Sequence, residues 1–156
     1  MSQITILSLY LLAAAAFTAS RLPRFESRAR PLYIVAFLLG ATGAVIHGQE
    51  IFGLILPRYG FDLTMGNAIA LIGLELAVIG LIAALEPSLR GISGGLIFLA
   101  AFTVLLMGPS GDTVDSASLA WQVRAHVLIA LLSYGPVSYT HLTLPTRCHR
   151  CRSRWW

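Results

Sequence analysis

The sequence predicts an all-α protein, a polytopic bundle of membrane-spanning helices. Three observations predict it. Only 12% of the 156 residues are charged while 56% are hydrophobic, and a soluble domain carries about 25% charge. The apolar residues come in uninterrupted runs long enough to approach a bilayer crossing. The runs are separated by short segments rich in Arg, Pro and Gly, so polarity is confined to turns. A chain like this leaves too little polar surface for water, whereas lipid can solvate its outer face.

The first run is Ile4 to Ala19, without a charge. Small residues from Ala13 to Ser20 resemble a signal-peptide cleavage region. A signal peptide, however, wants cations before its apolar core. Here Arg21, Arg24, Arg28 and Arg30 follow the run instead. That pattern predicts a retained helix with its N-terminus outside and its C-terminal end held inside by the arginines.

Pro31 suits the first turn of a second helix, where its missing N–H is not needed. This run, Leu32 to Ile46, closes at His47-Gly48-Gln49-Glu50. Ile51 to Leu63 is semi-apolar and broken by Gly53, Pro57 and Gly60, so an interfacial loop or short helix is expected there. Gly66 to Leu85 is the third run and Ile92 to Met107 the fourth. A fifth begins near Leu119 to Arg124 and stops at Gly135, little more than half a crossing. The expected architecture is therefore four complete spans plus a truncated fifth, N-terminus outside. The loop from Gly108 to Ser118 holds two acids and no cation, as an outer loop should.

The net charge of +4 superficially invites a nucleic-acid partner. Its distribution excludes one, since the arginines cluster between apolar runs and at the C-terminus, with no basic face. The chain has no lysine.

The tail from Pro136 to Trp156 differs in kind. Val137 to Thr146 reads as a translated transposon-end sequencing adaptor, and Cys151 to Trp156 resembles a flow-cell adaptor read in reverse. Residues 1–135 are expected to be a partial transmembrane domain and 136–156 a non-native tail. A native basic amphipathic tail is the alternative. Cys148-His149-Arg150-Cys151 lies there. It lacks the C-x-x-C-H order of a c-type haem attachment, and no second ligand pair makes it a zinc site.

Few residues carry chemistry. His126 stands at the mouth of the fifth run, after Trp121 and Arg124 and before Ser133 and Tyr134. Imidazole is a common axial ligand of haem iron; the plainer reading is an interfacial histidine bonded to headgroups or a carbonyl. His47 ends the second run on the same predicted face, so the two could approach one ligand. Glu50, one turn on, could accept the other N–H of His47. The alternative for His47 is a polar helix end. Glu75 is an acid in the middle of the third run, where a carboxylate costs a few kcal/mol and by default faces the bundle. A proton relay or a structural hydrogen bond would each explain it. Trp121 and Tyr33 suit interfacial aromatic positions, and Trp121 could also wall a flat ligand. Asn67 suits a cap or a headgroup contact. Gly40 with Ala44, and Gly66 with Gly73, are spaced for close helix packing.

Trp121-Gln122-Val123-Arg124-Ala125-His126 and then Leu131-Leu132-Ser133-Tyr134-Gly135 resemble the cytochrome c assembly protein family, the polytopic haem-handling membrane proteins of the CcsA type. The likeness is nearest their short branch, where a histidine also ends the second span. The resemblance implies a bacterial inner-membrane protein of cytochrome c biogenesis that handles or presents haem at the outer face. It implies His126 as a ligand of the haem iron and, more weakly, His47 as a second haem contact. It implies a second cytochrome c assembly membrane protein and an apocytochrome c as partners, beside the lipid bilayer. The family's tryptophan-rich outer loop and the histidine after it are absent from this sequence, so no catalytic residue is assigned. Two other classes remain open: half of a small-solute or proton-coupled transporter using Glu75, and a scaffold subunit without ligand chemistry.

Overall fold

The computed structural model describes residues 2–55, 65–86 and 89–106, and singly Gln122, Ala125, His126, Ile129, Ala130, Ser133 and Val137. Four α-helices make up its body: α1 (Ser2–Ala19), α2 (Ala29–Ile55), α3 (Met65–Leu85) and α4 (Arg90–Leu105). A 3-10 segment over Pro23–Arg28 joins α1 to α2. Helix is the required answer for such runs, because in lipid every N–H and C=O must be bonded within its own segment. No strand occurs among the described residues.

α1, α3 and the stretch Pro23–Phe52 are long and apolar enough to cross a membrane. α4, with 16 residues, reaches about 24 Å. That is short of a hydrocarbon core of about 30 Å.

The helices form an up-down-up-down ring in which each packs mainly on its two neighbours: α1 on α2 and α4, α3 on α2 and α4. The pairing is antiparallel. Phe17 meets Tyr33, and Tyr10 meets His47. Likewise Gly73 lies on Thr103 and Gly80 on Ile97.

The core is layered. At the arginine-rich end, Phe17 and Tyr33 stack edge to face, with centroids 5.8 Å apart. The Tyr33 hydroxyl donates to the Ala84 carbonyl at 2.8 Å, fixing α2 to α3. Arg90 donates from Nε to the same carbonyl at 3.1 Å, and its guanidinium lies 4.4 Å over the Tyr33 ring. So Tyr33, expected as an interfacial aromatic, also pins three helices. The middle layer holds Ala13, Gly40, Leu81 and Ile97. Tyr10, Gly43 and His47 stand above it, and Gly73 with Thr103 completes that end.

One boundary departs from expectation. The second helix does not end at His47. It continues for about two turns to Ile55, so Ile51 to Ile55 belongs to α2 and not to a separate interfacial loop or short helix. Gly53 reads as a breaker, but helices in lipid tolerate glycine because neighbouring groups keep the backbone bonded.

Candidate functional site

Tyr10, Gly43 and His47 form a fully buried constellation between α1 and α2, separate from the Tyr33–Ala84–Arg90 contacts at the arginine-rich end. Gly43 and His47 are four apart on α2 and therefore share a face. A Cβ on Gly43 would come within 2.9 Å of Tyr10 Cε1, so the bare glycine makes the groove in which the Tyr10 ring lies. Held there, Tyr10 is fully buried. Its Oη sits 3.2 Å from His47 Nδ1, with the rings 5.8 Å apart at 65°.

His47 is 0% exposed, and its Nε2 has no hydrogen-bond partner. The proton can sit in two places. If Tyr10 donates to Nδ1, Nε2 carries the proton and finds no acceptor. If Nδ1–H donates to Tyr10, Nε2 is a bare lone pair facing the core. In either arrangement Tyr10, and not Glu50, orients the imidazole.

This changes the place of His47. The sequence put it at the outer mouth of the second span, beside His126. The structure puts it inside the bundle with no surface of its own. His126 is helical and exposed. Ile129, on the same helical face one turn later, is also exposed. Ser133, on that face too, folds its hydroxyl back on the Ala130 carbonyl at 2.7 Å. A buried imidazole and an exposed one do not flank one surface ligand, so the two histidines stand as separate features. Trp121 lies outside the described residues, as does the tail beyond Val137 with its Cys148–Cys151 pattern.

Glu75 occupies neither feature. It stands one turn before Val78 and two before Ile82, both exposed, so it leaves α3 away from the Gly73–Gly80 stripe that packs on α4. Even so its Oε1 is buried and unpartnered. Asn67 is buried in the first turn of α3 and not at a free surface. Gly40 and Gly73 are close-packing positions as expected.

Sequence reasoning passed over Tyr10. The available signal was a phenol in the middle of a charge-free run, since a buried hydroxyl needs a partner. Comparison with known proteins returned no match to any family model, curated protein or solved structure.

Proposed function

We propose that this chain is part of a haem-handling membrane protein of cytochrome c biogenesis, lodged in a bacterial inner membrane with its N-terminus outside and four spans entering a fifth. Its partners would be an apocytochrome c and a second assembly protein in the membrane. The observation that carries the reading is the exposed His126 imidazole, flanked on its helix by the exposed Ile129. His126 would hold haem iron through an imidazole nitrogen, and Ile129 would offer apolar surface beside it. Three long apolar helices and the resemblance of Trp121–Gly135 support it. When bound, haem would supply iron chemistry; the chain's own share is to hold and orient it through His126. His47 lacks the surface for that task unless the bundle opens.

The test is the haem absorbance band of the purified full-length protein. His126→Ala should weaken it strongly, and His47→Ala should leave most of it. Unchanged haem content in His126→Ala removes the assignment.

One observation favours a second reading, half of a proton-coupled transporter. Glu75 keeps a buried, unpartnered carboxylate oxygen inside a span, and such acids commonly relay protons. On that reading Glu75→Gln abolishes transport and leaves haem content untouched.

A further inference from the structure

The α1–α4 face has a feature that neither reading uses. A groove of about 560 Å³ runs between these helices. Leu11 and Ala15 line it from α1, Leu22 from just beyond the end of α1, and Gly94, Gly95 and Phe98 from α4. Its floor exists because Gly94 lets α4 press against α1: a Cβ there would meet Thr18 Oγ1 at 3.1 Å and the Ala14 carbonyl at 3.4 Å. Its opening exists because Gly95 has nothing within 4 Å of where a Cβ would stand. From Leu11 to Ala19 the groove follows α1 for about 12 Å, and Leu22 extends it past the helix end. That is roughly one leaflet of a 30 Å hydrocarbon core.

The groove is apolar along its length and cationic at one mouth. Arg21 adjoins the lining residue Leu22, and its guanidinium lies over Gly91, 3.1 Å from a Cβ placed there. Gly91 is one turn before Gly95 on the same face of α4. Arg24, Arg28 and Arg30 are exposed at the same end, against two exposed acids there, Glu26 and Glu86. The first turn of α4 has no acid and its N-cap, Leu89, supplies no side-chain bond. A helix start of this kind adds to the positive field.

We propose that this groove is the seat of an anionic phospholipid, one acyl chain lying between α1 and α4 and the phosphate held by Arg21 and Arg24. Length and charge both select this occupant. The apolar trough matches one leaflet's depth, and basic pockets between helices at the arginine-rich side are where anionic headgroups bind. A second copy of the chain fits poorly. Copies in one membrane share an orientation, so pairing through this face would set one arginine cluster against another. The proposal depends on membrane embedding and is independent of the haem reading.

The full chain, purified in a neutral detergent, is titrated with phosphatidylglycerol or with phosphatidylcholine of the same acyl chains, reading retained lipid by native mass spectrometry. Phosphatidylglycerol should be retained and phosphatidylcholine lost. Arg21→Gln with Arg24→Gln should weaken retention by about fivefold per arginine. Gly95→Leu starts from a Cβ position in open space and carries its side chain into the trough, and it should abolish retention. Unchanged far-ultraviolet circular dichroism shows that both variants fold. Equal retention of the two lipids overturns the headgroup assignment. Retention that survives Gly95→Leu reduces the effect to surface charge and overturns the groove. Crosslinking between copies through Ala15→Cys gives the face to a second chain and overturns the proposal.

Discussion

The α1–α2 and α3–α4 pairs solve the same problem by different chemistry. Lipid offers no hydrophobic force to press two apolar helices together, so contact depends on fit and on polar bonds. α3 and α4 use backbone approach. Gly73 has no Cβ because the Thr103 side chain occupies that place, and Gly80 lies against Ile97, Leu96 and the Ser93 carbonyl, all within 3.4 Å of a Cβ position. α1 and α2 use one large ring in a gap, with Tyr10 over Gly43 and its hydroxyl on His47. In the first contact the Thr103 Cβ is fixed to its own backbone and cannot move aside. The second has a ring that can tilt, and it holds a titratable group. That difference teaches where the bundle is stiff and where it can change, and it predicts an order of sensitivity.

Gly73→Ala should be the most damaging substitution. The new methyl overlaps Thr103 Oγ1 and stands 2.9 Å from Thr103 Cβ, which cannot rotate away, so α3 and α4 must separate. Overpacking of this kind costs about 2 kcal/mol, more than alanine gains as the better helix former. Unfolding in mixed micelles titrated with dodecyl sulfate measures it. Combined with Thr103→Ala, part of the loss should return, with a coupling of about 1 kcal/mol. Purely additive costs would mean that the two helices do not meet at this level.

Gly43→Ala should cost less, about 1 kcal/mol, because the Tyr10 ring can swing at the expense of its bond to His47. Tyr10→Leu should suppress the effect. A cost equal to that of Gly73→Ala would erase the contrast between the pairs.

Tyr10→Phe tests the polar half of the α1–α2 contact. It deletes one hydroxyl and strips a buried nitrogen of its partner, which costs about 1 kcal/mol; hydrogen bonds in membrane bundles average nearer 0.6. The same change in His47→Leu should be almost silent, because the leucine leaves no nitrogen to satisfy. Equal costs in both backgrounds would show that the hydroxyl and the imidazole do not bond.

Much of this fold was legible because membrane helices are written in composition. A charge-free run from Ile4 to Ala19, and a run from Gly66 to Leu85 whose only charge is Glu75, located α1 and α3 to within two residues. The end of α2 was not legible. His47, Gly48, Gln49 and Glu50 read as a polar stop, but the sequence does not show that Tyr10 stands opposite to accept the imidazole. The site was less legible than the fold for the same reason: a histidine's role depends on what faces it, and Tyr10 is thirty-seven positions away. His126 and His47 looked alike as two residues at apolar boundaries, and only tertiary packing separates the exposed one from the buried one. Gly40 and Gly73 were readable as packing positions by type, whereas the partners that make Gly73 the tighter contact were not.

Ser93→Ala should have the smallest effect, and it tests what holds the α3–α4 pair. Other hydroxyls of the bundle bond to their own helices: Ser8 to the Thr5 carbonyl at 2.9 Å, Thr18 to Ala14 at 2.8 Å, Thr103 to Ala100 at 2.7 Å. Ser93 is fully buried and its Oγ has no partner. Removing an unsatisfied hydroxyl deletes a desolvation penalty and no bond. The pair should therefore lose nothing, and a gain of up to about 1 kcal/mol is expected in the same micelle titration. This outcome would leave backbone fit, with the Arg90–Ala84 bond at the arginine-rich end, as the α3–α4 attraction, in contrast to the Tyr10–His47 bond of α1 and α2. A loss of about 1 kcal/mol instead would mean that the Ser93 hydroxyl is bonded in the membrane, and both pairs would then rest on a buried polar contact.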